Sequence, residues 1–537
     1  MTRPWLKSYP DGVAADIDVA PFPSLIHMVD DALKRHAARP AISSMGRTTS
    51  YAELDVMSQR FAAWLQGQGV VKGDRVAVMM PNMLPFAVTA IGTLRVGATV
   101  VAINPLYTAR ELAHQLRDSG AQVLVVFEAF ASTVAKALTE VNVKHLVVAG
   151  TGLAGMQPEP LPGQIPFAQT LVVGALTPFK PVAISNDDLA FLQYTGGTTG
   201  VSKGAMLRHA NVQANVLQMG EWLKPKVPSD WQVGKNIACF LPLYHIFALT
   251  FCLFYGLRSG LHILFVANPR DLPGAVRELG GQSIHILPGV NTLFGALPQF
   301  PAVLAGLNLK ELRFCVGGGS AVQQGVAERW IAATGVPIAE GYGLSETSPC
   351  VSVTHPLALQ WSGTVGFPLS NTEMAILDDQ GQPVPLGERG EICLRGPQLM
   401  AGYWQRPDET AKVMTADGYF KTGDVGIMDS SGAFQIVDRK KDMILVSGFN
   451  VFPNEIEGVV STLAGVLESA AIGIPDEKSG EAVKLFVVKS DPALTLEQVQ
   501  AHCRENLTGY KNPKYVEFMD VLPKSTVGKV LRRELRT

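Results

Sequence analysis

The sequence predicts an α/β protein with more than one domain, and three observations lead to that fold class. The chain has 537 residues, whereas one domain usually takes roughly 100–200. Its composition, 47% hydrophobic and 17% charged, is that of a folded chain with a large core. In the first third, short apolar runs alternate with segments of helical periodicity, a pattern typical of mostly parallel sheets flanked by helices.

The elements of this first third follow in chain order. Ser50 and Glu53 form a capping box that predicts a helix start, and apolar residues recur at helical spacing after it. Apolar runs then predict four strands, and the segments that separate the first three of these strands predict two helices. The strands are expected at 75–80, 98–103, 123–127 and 145–150, and the helices at 86–95 and 108–120.

The remaining chain divides into three further regions. Prolines are frequent at 151–182, which predicts a loose connection and not a domain of its own. A second α/β stretch is expected from about 187 to 350, and a small β-rich subdomain from 361 to about 437. The last hundred residues predict a compact α+β unit, with a helix that begins at Thr495 and uses Gln498 as its capping partner.

Charge and cysteine usage exclude several classes of protein. Lys plus Arg is 45 and Asp plus Glu is 47, so the net charge is −2 and no overall basic field favours nucleic acid. The six cysteines are scattered without a CxxC pair, which argues against a disulfide framework or a zinc site and fits a reducing cytoplasm. The first residues contain no apolar stretch of the kind found in signal peptides.

One uncharged stretch, 237–257, is long enough to span a bilayer. Pro242, Tyr244, His245 and Gly256 interrupt it, and no cationic cluster lies beside it. A buried strand and helix are therefore favoured over a membrane span, while association with a membrane surface stays open. His245 is the side chain in this stretch that is expected to titrate near neutral pH.

The strongest motif is YTGGTTGVSKGAM at 194–206. Its glycines allow backbone N–H groups to approach a phosphate, its threonines add hydroxyl donors and Lys203 adds a mobile positive charge. The spacing is not that of a Walker A loop, and a flexible loop without a ligand is the alternative. The residues concerned are Thr195, Gly196, Gly197, Thr198, Thr199, Gly200 and Lys203.

Four further segments contain candidate site residues. In GYGLSET at 341–347, Tyr342 could stack on a base and Glu346 could bind a divalent cation, although a turn with a surface carboxylate fits equally well. In KTGDVG at 421–426, Asp424 could accept hydrogen bonds from ribose hydroxyls. The segments 436–457 and 522–535, the latter with Lys529 after a glycine, would on charge alone be solvated turns.

These five segments, in this order and spacing, resemble the acyl-CoA synthetases of the adenylate-forming superfamily, and most of all the bacterial long-chain fatty-acid–CoA ligases. The resemblance extends from about residue 24 to the end of the chain. Further matching stretches are LPLYHIFALT, GVNTLF, VQQGVAERW, GYWQRPD, VDRKKDMILVSGFNVFPNEIE and LTGYKNPK. Two departures are a shorter connection at 151–182 and Ser345 where many members have threonine.

The resemblance implies ATP-dependent activation of a long-chain, or medium-chain, fatty acid to acyl-AMP. Thioesterification with coenzyme A follows, with release of AMP and pyrophosphate and with Mg²⁺ as cofactor. It implies an N-terminal AMP-binding domain at 1–440, containing large helix-flanked sheets and a small β-rich subdomain, and a small mobile α+β domain at 441–537. An acyl-AMP ligase that serves a carrier protein and a non-catalytic acyl-binding protein are the alternatives. A cytoplasmic protein is expected, with peripheral membrane association and a homodimer left open.

The resemblance also assigns roles to individual residues. The loop from Thr195 to Lys203 would bind the β- and γ-phosphates, Ser345 the α-phosphate, Asp424 and Arg439 the ribose. Gly317, Gly318 and Gly319 with Tyr342 would enclose the adenine, and Glu340, Gly341 and Gly343 would be further ATP-binding residues. Thr198 and Glu346 would bind Mg²⁺, Lys441 would be the hinge, and Gly448 with Phe449 would line the coenzyme A tunnel. The acyl site would include His245, Gly289 and Val290, and the catalytic set would be Thr195, His245, Glu346 and Lys529.

Overall fold

The computed structural model describes residues 3–150, 161–195, 202–476, 478–525 and 528–536. The strands are β1 (Pro40–Ser44), β2 (Arg47–Ser50), β3 (Arg75–Met79), β4 (Thr99–Ala102), β5 (Val123–Phe127), β6 (His145–Ala149), β7 (Gln164–Pro166), β8 (Leu189–Thr195), β9 (Lys203–Arg208), β10 (Asn236–Cys239), β11 (His262–Phe265), β12 (Ile286–Gly289), β13 (Phe314–Gly317), β14 (Ile338–Gly343), β15 (Cys350–Val353), β16 (Phe367–Pro368), β17 (Glu373–Leu377), β18 (Gly390–Arg395), β19 (Phe420–Met428), β20 (Phe434–Arg439), β21 (Ile444–Val446), β22 (Phe449–Val451), β23 (Val466–Asp476), β24 (Gly480–Lys489) and β25 (Tyr515–Met519).

The helices surround these sheets. They are α1 (Leu25–Arg35), α2 (Tyr51–Gly67), α3 (Leu84–Arg95), α4 (Ala109–Ser119), α5 (Ala131–Ala137), α6 (Phe167–Gly174), α7 (His209–Leu223), α8 (Ser229–Gln232), α9 (Gly256–Arg258), α10 (Leu272–Leu279), α11 (Asn291–Ala296), α12 (Pro301–Gly306), α13 (Gln324–Thr334), α14 (Pro407–Lys412), α15 (Pro453–Ser461) and α16 (Leu496–Asn506). A π-helical segment spans Ala248–Tyr255, and short 3₁₀ turns lie at Pro4–Ser8, Glu128–Phe130, Leu297–Gln299, Ser345–Thr347, Gly509–Lys511 and Arg532–Leu535.

Two large sheets form the N-terminal part, as the alternating pattern predicts. The seven-stranded sheet has the order β7-β6-β5-β3-β4-β8-β9 and is parallel except for the β8–β9 pair. The nine-stranded sheet has the order β16-β15-β14-β13-β12-β10-β11-β1-β2, with parallel pairing in its centre and antiparallel pairing at both ends. The α/β prediction for this part is confirmed.

The predicted helix starts agree with the structure. The Ser50 side chain accepts a hydrogen bond from the Glu53 backbone N–H, and the Glu53 carboxylate accepts one from the Ser50 backbone N–H, so both halves of the capping box are present at α2. The Thr495–Gln498 box is likewise complete at α16. Both boxes satisfy backbone N–H groups that a helix leaves unpaired in its first turn.

The description of 151–182 as a loose connection is wrong for its second half. Strand β7 pairs in parallel with β6, and α6 packs against α2 so closely that a Cβ on Gly174 would lie 1.9 Å from the Arg60 carbonyl oxygen. The prolines lie on both sides of 167–174, and this proline-free apolar run can therefore form a helix.

The uncharged stretch 237–257 folds as buried protein core. It contains most of β10, a turn, and the π-helical segment Ala248–Tyr255, all of whose residues are buried. Among the described residues, no helix combines the length and apolarity needed to cross a bilayer. π-helical geometry is rare and often lies at functional sites, and this segment begins three residues after His245.

Two smaller sheets complete the chain. Strands β17–β20 form an antiparallel four-stranded sheet, which corresponds to the predicted β-rich subdomain. Strands β21–β25 form a second sheet that packs with α15 and α16 around its own apolar core. The chain passes from one sheet to the other between Arg439 and Ile444, the segment that contains Lys441.

Candidate active site

The predicted adenine-binding residues meet at the carboxyl ends of β13 and β14. Gly317 lies opposite Glu340 in the parallel register of these strands. A Cβ on Gly317 would lie 2.4 Å from Cγ2 of Val322, and one on Gly318 would lie 3.1 Å from the Gly341 carbonyl oxygen. A side chain at either position would have to displace its neighbours, and Gly318 lies against the backbone of Gly341, the residue before Tyr342.

Glu340 is buried on the same strand. The Val322 N–H donates to its Oε2 at 3.3 Å, whereas Oε1 has no hydrogen-bond partner among the described residues. Burial raises the pKa of Glu340 to about 8, because water no longer stabilises the carboxylate. An uncharged Glu340 carboxyl can donate or accept a hydrogen bond at the edge of the predicted adenine site.

Asp424, one of the two predicted ribose ligands, contacts both the other, Arg439, and Tyr342. Asp424 on β19 is the register partner of Arg439 on β20, and the Arg439 Nε lies 3.3 Å from the Asp424 Oδ1. The Tyr342 hydroxyl donates to the Asp424 Oδ2 at 2.6 Å. Burial, and then the charge of Asp424, raise the pKa of Tyr342. The structure therefore brings the predicted base-stacking and ribose-binding residues together.

The phosphate loop is described only at its two ends. Thr195 ends β8 and Lys203 begins β9, and the two residues are paired across the strands. Gly196, Gly197, Thr198, Thr199 and Gly200 lie outside the described residues. Lys203 forms an ion pair with Glu409, and its ammonium group lies 5.3 Å from the centroid of the Tyr403 ring.

Glu346, the predicted metal ligand, is buried in the 3₁₀ turn that Ser345 opens. The Tyr403 hydroxyl donates to the Glu346 Oε1 at 2.7 Å, and the Met400 N–H donates to the Glu346 carbonyl oxygen at 2.8 Å. Burial raises the pKa of Glu346, and the hydrogen bond from Tyr403 opposes that shift. A desolvated carboxylate of this kind suits a hard divalent cation.

Lys529 lies where the C-terminal unit contacts the predicted acyl wall. The preceding residue, Gly528, has a φ of +78°, and a Cβ there would lie 2.6 Å from the Thr292 Oγ1 and 3.3 Å from the Val290 Cγ2. Burial, and then the charge of Arg439, lower the pKa of Lys529 to about 7, while Asp424 opposes them. The lysine is therefore within electrostatic range of the predicted ribose site.

His245 also lies in this region, but it does not titrate near neutral pH as the sequence suggests. Burial, and then the charge of Lys529, lower its pKa to about 4. The Phe247 N–H donates to its Nδ1 at 3.3 Å. The imidazole is consequently neutral at physiological pH, because protonation would place a second cation in a desolvated site.

The acyl wall is closed around Gly289 and Val290. Gly289 ends β12, and a Cβ on it would lie 2.9 Å from the Phe294 ring. The Phe294 ring in turn packs edge-on against Trp330 at 5.0 Å. Val290 lies next to Gly528, so the wall and the loop of Lys529 are in contact.

The predicted coenzyme A residues lie on the β21–β22 hairpin and face solvent. Phe449 is 55% exposed and stacks on Tyr510, with ring centroids 4.7 Å apart. Gly448 has a φ of +83° at the turn, and a Cβ there would meet no atom within 4 Å among the described residues. Lys441 lies in the connection between β20 and β21, and partial burial lowers its pKa.

Sequence reasoning missed Tyr403 and Glu409. Tyr403 lies in the GYWQRPD stretch and binds Glu346, and Glu409 follows six residues later and binds Lys203. The stretch itself is a recognisable signal, but its two partners lie 57 and 206 residues away in sequence. Neither pairing could be found without the tertiary structure.

Comparison with known proteins is decisive for the family. The model of the AMP-binding enzyme matches residues 29–404, and that of the AMP-binding enzyme C-terminal domain matches residues 455–529. The chain belongs to the AMP-binding enzymes.

Curated AMP-binding enzymes match over the whole chain. This chain is 48% identical to the long-chain-fatty-acid–CoA ligase of Yersinia pestis, over 100% of this chain and 98% of the relative. It is 46% identical to the ligase of the same name from Escherichia coli O6:H1, over the same shares. An anthranilate CoA ligase in complex with anthranoyl-AMP shows the same fold with a TM-score of 0.88 at 24% identity, over 97% of this chain and 98% of that one.

Proposed function

We propose that this protein is an AMP-forming long-chain fatty-acid–CoA ligase. It activates the acid with ATP to acyl-AMP, releases pyrophosphate, and transfers the acyl group to coenzyme A with release of AMP. The observation that carries the proposal is the position of Lys529, which lies within electrostatic range of Arg439 and Asp424 and directly follows Gly528, the residue packed beside Thr292 and Val290 of the predicted acyl wall. The names of the curated relatives support the choice of acid and thiol.

Adenylation requires two anions to approach each other. A carboxylate oxygen of the acid attacks the α-phosphorus of ATP, the bond to the β-phosphate oxygen breaks, and pyrophosphate leaves with the electron pair. Lys203, and Lys529 in its protonated form, supply positive charge to the phosphates as negative charge moves towards the leaving group. Neutral His245 can donate one hydrogen bond to the acid without adding a third charge.

The residues present fit a Mg²⁺ site. Glu346 offers a buried carboxylate with Oε1 already bonded to Tyr403, and carboxylate oxygen is a preferred Mg²⁺ ligand. A site of one or two protein ligands that is completed by substrate phosphates is usual for Mg²⁺, and Thr198 is the proposed second residue. Bound Mg²⁺ would neutralise phosphate charge.

The second half-reaction uses the smaller unit. The coenzyme A thiol attacks the acyl carbonyl, the mixed anhydride breaks, and AMP leaves. We place the domain boundary at 440/441 and the hinge at Lys441, because the hairpin with Gly448 and Phe449 faces solvent while Lys529 lies in the site. Rotation at the hinge would exchange the two surfaces.

The acyl tail is assigned to the space beside 237–257 and 289–294. The first segment contains no formally charged residue, and its π-helical part is buried. Because a tail gains about 0.8 kcal/mol per buried methylene, a long uncharged wall favours long acids.

A homologous series of saturated acids from butyric to stearic acid tests the proposal. Each acid is incubated with ATP, Mg²⁺ and coenzyme A, and AMP release and acyl thioester are measured by liquid chromatography and mass spectrometry. We expect both products, with the highest kcat/KM for the long acids. No fatty-acid-dependent ATP–pyrophosphate exchange would refute the enzyme, and exchange without thioester would refute the second step. Vesicle sedimentation and light scattering test the peripheral membrane location and the homodimer.

A further inference from the structure

Tyr403 contacts both Glu346, the predicted metal ligand, and Lys203, the lysine of the predicted phosphate loop. Its side chain is 8% exposed. The hydroxyl donates to the Glu346 Oε1 at 2.7 Å, and the ring faces the Lys203 ammonium group at 5.3 Å. One aromatic side chain therefore joins the carboxylate assigned to the metal with the lysine of the phosphate loop.

The backbone around Tyr403 is fixed to the same two elements. The 400–404 segment runs antiparallel to β9, with the Met206 N–H donating to the Gly402 carbonyl at 2.9 Å and the Trp404 N–H donating to the Gly204 carbonyl at 2.8 Å. At its start, the Met400 N–H binds the Glu346 carbonyl oxygen. The ring is thus held by both of the segments whose side chains it contacts.

We propose that Tyr403 is a positioning residue whose hydroxyl and ring have separate roles. Its hydroxyl fixes the Glu346 carboxylate so that Oε2 is presented to the divalent cation, and its ring, together with Glu409, holds the Lys203 ammonium group ready for the triphosphate. The proposal rests on the proposed function for the assignment of the cation to Glu346.

The physical basis is the strength of each contact. A hydrogen bond to a carboxylate is shorter and stronger than one between neutral groups, so it restricts rotation of the Glu346 side chain. Groups that hydrogen-bond to metal ligands typically change metal affinity or activity 10- to 100-fold when they are removed. The ring quadrupole attracts the Lys203 cation without a formal opposite charge, so the ion pair with Glu409 is the charged contact that is exchanged when the phosphates bind the cation.

The chain provides a matched control at Tyr419. Its hydroxyl donates to the Glu373 Oε2 at 2.9 Å, and the Arg395 guanidinium lies 5.0 Å from its ring centroid. This group of hydroxyl, carboxylate and cation resembles that at Tyr403, although here the carboxylate and the cation also pair with each other. It lies at β17 and β18 of the four-stranded β17–β20 sheet and includes none of the predicted ATP-site residues. Removal of the Tyr419 hydroxyl therefore shows how much stability is lost with such a hydrogen bond when no predicted ATP-site residue is involved.

The first experiment compares Tyr403→Phe with Tyr419→Phe in the full chain. Mn²⁺ binding in the presence of a non-hydrolysable ATP analogue is followed by electron paramagnetic resonance, and thermal unfolding checks the fold. We expect Mn²⁺ to bind about tenfold more weakly in Tyr403→Phe and within about twofold of the original affinity in Tyr419→Phe. Equal Mn²⁺ affinity in the two variants overturns the role of the hydroxyl.

The second experiment separates the ring from the hydroxyl. ATP binding without metal is measured by calorimetry in Tyr403→Phe and Tyr403→Leu, and we expect a several-fold loss only in the leucine variant, since only leucine lacks the ring face. Equal binding by both variants overturns the role of the ring. Glu346→Gln tests the metal assignment itself: unchanged Mn²⁺ affinity there refutes that part of the proposed function, whereas loss there without loss in Tyr403→Phe refutes only the inference about Tyr403.

Discussion

Lys529 should take up a proton when ATP binds. Burial and the charge of Arg439 hold its pKa near 7 in the structure. The phosphates of ATP bring several negative charges into the same region and favour the charged form of the lysine. The pKa of Lys529 therefore rises towards its ordinary value, and the proton comes from solvent.

The size of the effect follows from that pKa. At about pH 8, one unit above it, roughly 10% of the free enzyme carries a charged Lys529, so ATP binding takes up about 0.9 proton. For the same reason ATP affinity should fall by about tenfold from pH 6 to pH 8. The sign is fixed: a group whose pKa is low in the free state and higher in the complex binds protons on complex formation.

Calorimetry in buffers of different ionisation enthalpy measures the proton count directly. The comparison is between the original chain, Lys529→Met and Lys524→Met. Lys524 lies in the same C-terminal segment but is paired with Glu468 at 2.6 Å, so its removal should leave the proton uptake unchanged. Lys529→Met should abolish it, and should slow adenylation by about 10²–10³ while acyl transfer from preformed acyl-AMP persists.

Two results would refute this reasoning. Proton uptake that survives in Lys529→Met assigns the titration to another group. An original chain that binds ATP at about pH 8 without taking up a proton means that Lys529 is already charged, and hence that the site is better solvated than the structure indicates.

Three further substitutions test other parts of the site. Glu346→Gln should raise the Mg²⁺ concentration needed for half-maximal adenylation by at least about tenfold, measured by pyrophosphate exchange; an unchanged titration would place the ligand elsewhere. Gly289→Ala should shift preference towards shorter acids at unchanged ATP affinity, since the new Cβ would lie 2.9 Å from the Phe294 ring; an unaltered chain-length profile in the AMP-release assay would contradict the tunnel wall. Lys441→Pro should preserve acyl-AMP formation and slow thioester formation sharply, because proline fixes φ near about −65°; full overall turnover, followed as acyl-CoA, would contradict the hinge.

The sequence predicts elements well where the signal is local. The Ser50–Glu53 and Thr495–Gln498 boxes each fix a helix start within four residues of chain, and both are present. The pairing of strands is not local: β1 lies beside β11, more than 200 residues later, and no periodicity within either strand indicates it. The helix α6 is not indicated by the composition of 151–182, because prolines on both sides of it dominate that region.

The same distinction applies to the site. The family resemblance assigns the glycines of 317–319 and the 340–343 segment to the nucleotide site, and the structure brings these two segments together on adjacent strands. The neutrality of His245 could not be predicted from the sequence, because it depends on burial and on the charge of Lys529, which is distant in sequence. Tyr403 was missed for a similar reason, since its importance lies in Glu346 and Lys203, which are its neighbours only in space.

Gly528 lies between the predicted acyl wall and Lys529, the predicted adenylation lysine. Gly528 packs against Thr292 and Val290 so closely that any side chain would displace the loop, and its φ of +78° is one that residues other than glycine rarely adopt. Lys529 follows one residue later and lies within electrostatic range of Arg439 and Asp424. We expect that displacement of the predicted acyl wall would also displace the loop that contains Lys529. We therefore predict that binding of the acid and placement of the positive charge are coupled through this packing, and such a coupling would require no contact between the acid tail and ATP.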